Sequence, residues 1–121
     1  MPSYIFPATT RRYVFAAKDG DMPCGSFAKD PTEQFLTGID WTRRLPSGRS
    51  LGMVSLTATD CADNSAAPAV LVSPTGTTSG MITFATVRAG AVGHRYKIIF
   101  DLTDDANGHY RQALIMIVRS A

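Results

Sequence analysis

The stretch Tyr96-Lys97-Ile98-Ile99-Phe100-Asp101-Leu102, then Asp104-Asp105-Ala106-Asn107-Gly108, then Tyr110-Arg111-Gln112-Ala113-Leu114-Ile115-Met116-Ile117-Val118, decides the fold. Its first part alternates and sets Tyr96, Ile98, Phe100 and Leu102 on one face of a strand. The middle is a cluster of turn formers, and Asn107-Gly108 tolerates the positive φ of a tight hairpin turn. The return run is more apolar, the pattern of a strand buried at its centre. A hairpin of this length cannot hide an apolar face alone. Other strands must pack on it, which makes it the centre of a β-sandwich.

Working outward, Phe35-Leu36-Thr37-Gly38-Ile39-Asp40-Trp41 alternates, with Phe35, Thr37, Ile39 and Trp41 on one face. Leu51 to Thr59 reads as a strand with Met53, Ser55 and Thr57 opposite Val54, Leu56 and Ala58. Ala69 to Ser73 reads as a short apolar strand, and Met81 to Val87 as a β-branched and aromatic one. Thr42 to Arg49, Cys61 to Ala67 and Pro74 to Gly80 read as loops and turns, and Ala89 to Gly93 as a small-residue corner. No amphipathic helix stands out. The pattern gives six strands, or seven with one at Arg12 to Ala17. Their spacing predicts an all-β fold, an immunoglobulin-like antiparallel β-sandwich. Tyr96 stands three residues after Gly93, where the tyrosine corner of such a sandwich sits; Ile98 takes the place of an antibody domain's second cysteine. Trp41, Tyr96 and Phe100 are the structural core residues of this reading. For Trp41 a stacking platform for a sugar or base is the alternative to a core filler.

Residues 1–31 differ from the rest and form an N-terminal arm or extension; residues 32–121 form the sandwich domain. The extension holds Pro2, Pro7, Pro23 and Pro31 together with Tyr4, Phe6, Tyr13, Phe15 and Phe27. Prolines and glycines at this density interrupt ladders, yet so many aromatics require burial. Either they plug the open end of the domain's own core, or they dock on another subunit. Tyr4, Phe6, Tyr13 and Phe15 are therefore candidate interface residues, as are Arg43 and Arg44 in the loop after Trp41.

The chain of 121 residues suits one domain, and its 45% apolar content is enough for a core. A net charge of +2 does not point to nucleic acid, and no apolar run is long enough to span a membrane. The N-terminus shows no secretory pattern. Cys24 and Cys61 then read as reduced thiols, with a disulfide as the alternative. They form no CxxC pair for zinc. His94 and His109 flank opposite ends of the hairpin strands, roughly 30 Å apart at ~3.3 Å per residue, too far to share a metal or a base site. Asp101, Asp104, Asp105 and Asn107 fit side chains that cap their own turn, with a calcium loop as the alternative. No phosphate-binding loop or nucleophile motif is present. The residues give no catalytic, metal or cofactor site.

Lys29-Asp30-Pro31, Glu33, the run Gly38-Ile39-Asp40-Trp41-Thr42-Arg43-Arg44-Leu45 and Gly48 resemble the opening of a family of bacteriophage and prophage proteins. These are fiber-tail adaptor proteins with an immunoglobulin-like domain. Gly90-Ala91-Val92-Gly93-His94-Arg95-Tyr96 is similar to the family's Gly-x-x-Gly-x-x-Tyr before its last hairpin, and Asn107-Gly108 fits the closing turn. The likeness covers Ala28 to about Arg119. Met53-Val54-Ser55-Leu56 stands where the family has Trp-x-Val, and Ala89-Gly90 where it has Gly-Gly. The resemblance implies a non-catalytic virion protein made in a host bacterial cytoplasm. It would join tail or neck to tail fibers, with other virion proteins and copies of itself around a ring as partners. A monomeric immunoglobulin-like domain that binds a sugar or an extended peptide is the alternative.

Overall fold

The computed structural model describes residues 12–17, 23–45 and 48–119. Its strands are β1 (Arg12–Ala16), β2 (Gly25–Lys29), β3 (Phe35–Asp40), β4 (Leu51–Asp60), β5 (Thr77–Ser79), β6 (Ile82–Val87), β7 (Arg95–Asp104) and β8 (His109–Val118). They make two four-stranded sheets, β1-β3-β6-β5 and β2-β8-β7-β4. Apolar side chains from both sheets share one core cluster, so the sheets pack face to face.

The β7–β8 hairpin pairs continuously from Arg95 opposite Ile117 to Thr103 opposite His109. Alternation decides which side chains face inward: Tyr96, Ile98, Phe100, Leu102 and Asp104 of β7 are buried, while Lys97, Ile99, Asp101 and Thr103 between them are partly exposed. In β4 the same period buries Val54, Leu56 and Ala58 and exposes Met53, Ser55 and Thr57. Each large apolar side chain so buried contributes about 1.5–3 kcal/mol. Trp41, Ile39, Ile98, Phe100, Leu114 and Met116 have no solvent exposure.

The sheets are mixed, not antiparallel throughout as the sequence predicts. β1 runs parallel to β3, from Arg12 opposite Leu36 to Ala16 opposite Asp40. β2 runs parallel to β8, from Gly25 opposite Leu114 to Lys29 opposite Val118. Both come from the N-terminal extension, whose described part thus supplies an outer strand to each sheet. Parallel edge strands arise because the chain enters each sheet beside a strand already running its way, with no hairpin to force reversal. Tyr13 and Phe15 lie partly buried against the core, with Phe27 5.6 Å and 6.5 Å from their ring centres. Gly25 leaves room for the Phe15 ring, which a Cβ there would strike.

Two further segments differ from the sequence reading. Ala69 to Ser73 is not a strand: Pro68–Val70 form a 3-10 turn, and only Leu71 bridges Val87. Pro at the first helical position favours the turn, because its missing N–H is one the turn would leave unbonded anyway. Within Pro74 to Gly80, Thr77–Ser79 form β5, paired with Phe84 to Ile82.

Polar groups taken into the core have partners. Trp41 Nε1–H donates to Thr83 Oγ1 at 2.8 Å, and Thr37 Oγ1–H donates to the Tyr13 carbonyl at 2.8 Å. Lys29, 1% exposed, donates from Nζ to the Asp30 carbonyl at 2.6 Å. Burial pushes its pKa down, against the opposing pull of Glu33 and Asp30.

Candidate functional site

The outer edge of β4 is where the sheets leave an opening. β4 pairs inward with β7, Thr57 opposite Ile99. Its outward backbone groups meet residues 65–76 at two places. Near one end, Asp60 N–H donates to the Ser65 carbonyl and Ala67 N–H to the Ala58 carbonyl, both at 2.9 Å. Near the other, Leu56 N–H donates to the Pro74 carbonyl at 2.8 Å and Gly76 N–H to the Val54 carbonyl at 3.0 Å. Between them the chain leaves β4 for the other sheet. There Val72 N–H donates to the Thr86 carbonyl at 3.1 Å, and Arg88 N–H to the Val70 carbonyl at 2.9 Å.

That detour opens a groove of about 610 Å³, walled by Leu56, Ala58, Pro68, Leu71, Val72 and Pro74 among others. In an antiparallel strand a residue's N–H and C=O point to the same side. The Leu56 C=O and Ala58 N–H therefore face the groove, and neither has a backbone partner among the described residues. Leu56, Ala58 and Leu71 bring apolar surface from the core, and Val72 is 45% exposed at the rim. The arrangement can bond one extended segment through a donor and an acceptor while burying that segment's apolar side chains.

A second hollow, of about 380 Å³, is lined by Cys61, Ala62, Gly93, His94 and Arg95. His94 Nδ1 lies 2.7 Å from Asp60 Oδ2. The Asp60 carboxyl is held below the usual carboxylate range, first by the Ala62 N–H and then by His94. Cys61 is exposed, Cys24 is buried, and no disulfide joins the two. Among the described residues no three of His, Cys, Asp and Glu are grouped to hold a metal.

The hairpin turn is locked by its own side chain. Asp104 Oδ1 accepts the N–H groups of Ala106 at 2.9 Å and Gly108 at 2.7 Å, and Oδ2 accepts Tyr110 Oη–H at 3.2 Å. Asn107 supplies the positive φ, +63°. Asp104 thus works as a cap with its oxygens turned onto the turn itself.

Of the residues singled out in the sequence as interface candidates, Tyr4 and Phe6 lie outside the described residues. Tyr13 and Phe15 pack inward on Phe27. Arg43 is exposed, and the Arg44 guanidinium lies 5.9 Å from the Tyr110 ring centre, at the hairpin-turn end of the sandwich. His109 is exposed, 3.4 Å from Thr103 Oγ1 through Nδ1. Trp41, Tyr96 and Phe100 are in the core. The sequence reading missed the groove and the Asp60–His94 pair. Pro68 and Pro74 bracketing an apolar run were the only local sign of the groove; nothing local pointed to the pair, whose members are 34 residues apart.

Fold and groove together define an all-β sandwich protein with one sheet edge left partly open. The chain matches no protein-family model, no curated protein and no solved structure.

Proposed function

We propose that this chain is a non-catalytic structural protein of a bacteriophage particle, an immunoglobulin-like adaptor that joins tail or neck to tail fibers. The observation that carries the reading is the placement of the residues shared with the fiber-tail adaptor pattern. Three of them, Asp30, Asp40 and Tyr96, hold the chain where it enters or leaves a strand of one sandwich. Asp30 Oδ1 accepts Thr32 N–H and Oγ1–H while its own N–H donates to Glu33 Oε1, which sets the corner into β3. Asp40 Oδ1 does the same for Thr42 as β3 ends, and Trp41 plugs the core beside it. Ala91 N–H donates to Tyr96 Oη at 2.9 Å, tying the Gly90–Gly93 corner to β7. The strand order β3-β6-β5 against β8-β7-β4 supports the immunoglobulin comparison, being that of strands B, E, D against G, F, C.

In this reading the protein sits in the virion after synthesis in the host cytoplasm. Its partners are tail, neck and fiber proteins and further copies of itself. Mass spectrometry of purified particles, with labelled antibody in electron microscopy, tests it. The chain should be found at the tail or neck; recovery only from the soluble lysate overturns the proposal.

The groove on β4 favours a second reading, a domain that binds an extended peptide at an open sheet edge. A chain that stays monomeric at all concentrations, is missing from particles and binds peptides would decide for it.

A further inference from the structure

We propose that the β4 groove receives residues Ser3–Phe6 of a second copy of this chain, laid in as a short antiparallel strand opposite Thr57. The opening fits a segment of that length and no longer. Residues 65–67 and 74–76 already occupy β4 on either side, and between them the Leu56 C=O and the Ala58 N–H have no backbone partner among the described residues. With Ile5 opposite Thr57, antiparallel register brings the Phe6 N–H to the Leu56 carbonyl and the Tyr4 carbonyl to the Ala58 N–H. Side chains directly across a sheet share a face. Ile5 then lies outside with Thr57, while Tyr4 and Phe6 point inward with Leu56 and Ala58, over Leu71.

The sequence of the segment matches these limits. Ser3-Tyr4-Ile5-Phe6 is aromatic and β-branched, and Pro2 and Pro7 bound it. Proline lacks the N–H a longer ladder would use, and the groove asks for none beyond Phe6. The other segments outside the described residues, 18–22, 46–47 and 120–121, carry no such run.

Reach assigns the segment to another copy. β1 and β4 are edge strands of different sheets, and β1 lies over β2, the edge opposite β4, with Tyr13 stacked on Phe27, so β1 and β4 stand at diagonally opposite corners. Three strand spacings separate the edges by about 14 Å and the sheets lie about 10 Å apart, with the core filling the direct line. A path over the surface covers both, about 24 Å, and must also clear a side-chain layer of about 5 Å. The seven steps from Ile5 to Arg12 span at most about 25 Å when fully extended. The chain's own segment falls short. An arm at one corner and its receptor at the opposite corner give head-to-tail association, which closes into a ring or runs on as a filament. Ring closure rests on the assembly reading above; the groove and its occupant do not.

The test uses two full-length variants. Val72→Glu places a charge at the groove rim, at an exposed position, and leaves the arm intact. Ile5→Asp/Phe6→Glu spoils the arm and leaves the groove intact. In sedimentation velocity the wild-type chain should form a concentration-dependent series of oligomers, and each variant alone a monomer. Their mixture should give one heterodimer and nothing larger. Phe6→Ala should weaken wild-type association at least about tenfold, the loss of one buried aromatic contact. Trp41 emission checks that each variant is folded.

A wild-type chain that is monomeric at every concentration, or a mixture that stays as two separate monomers, overturns the proposal. So does a monomeric chain in which Phe6→Ala lowers the melting temperature, since the segment then lies on its own molecule. None of these measurements needs a particle. Failure here leaves the adaptor reading standing on its virion test, and failure of the virion test leaves the groove intact.

Discussion

Trp41 and Thr83 are joined side chain to side chain, indole Nε1–H to hydroxyl Oγ1 at 2.8 Å, with no solvent exposure at either residue. Trp41 follows β3 and its N–H donates to the Met81 carbonyl, so Thr83 is its diagonal neighbour on β6. A buried indole N–H needs an acceptor, and here the adjacent strand supplies it.

Trp41→Ala is predicted to cost about 3–5 kcal/mol through the cavity it leaves. Thr83→Val keeps the shape but orphans the indole N–H, at about 1–3 kcal/mol. Trp41→Phe combined with Thr83→Val should cost less than the two single changes added together, because the double variant leaves no unpaired donor. Urea denaturation of the four proteins checks this; strict additivity would show that the bond carries nothing.

Acid sensitivity should trace to the capped turn. The Asp104 carboxyl is held below the usual carboxylate range, first by the Gly108 N–H and further by the Ala106 N–H and Tyr110 hydroxyl, against its own desolvation. A folded pKa below the unfolded one means stability that is fully present above the unfolded value, about 4, and lost as pH falls through the folded one. Asp60 and Asp63 shift the same way and add to that window. Melting temperature should therefore fall below about pH 4, and less steeply in Asp104→Asn. Equal slopes in the variant and the parent would remove Asp104 from this account.

At the corner before β7, Gly90 has φ +98°, and a Cβ there would come within 2.7 Å of Val118 Cγ2 and 3.2 Å of Tyr96 Cε2. Gly90→Ala should destabilise by more than about 1 kcal/mol, from strain and crowding together. Tyr96→Phe removes only the acceptor of the Ala91 N–H and should cost about 0.5–1.5 kcal/mol. Thermal melts rank the two, and a larger effect for Tyr96→Phe would contradict the packing at Gly90.

The thiols should separate by burial. Cys61 is exposed and Cys24 is 7% exposed. A thiol reagent added to the native protein without reductant should label Cys61 rapidly and Cys24 only after unfolding. Peptide mapping of the labelled chain reads the order; rapid native labelling of Cys24 would refute its burial.

The hairpin was legible in the sequence because everything that makes it is local. Alternation from Tyr96 to Leu102 sets the faces, Asp104 to Gly108 sets the turn, and β8 lies within a few residues of its partner. β3, β4 and β6 were legible for the same reason, as was the cap formed by Asp104. β2 was not: Gly-Ser-Phe-Ala-Lys has no strong period, and its partner β8 is nearly ninety residues away. A parallel edge strand is made by the vacancy beside its neighbour, which no local pattern encodes. Residues 69–73 have strand composition, yet Pro68 and a single bridge to Val87 made them a 3-10 turn and a crossing. That crossing creates the β4 groove. Its walls come from two sheets, and its two open backbone groups exist only because the chain leaves β4 after Ala67 and returns at Pro74. Side-chain periodicity belongs to each strand separately and is written in the sequence, whereas an unfilled edge is a property of which strands meet, and only the tertiary structure decides that.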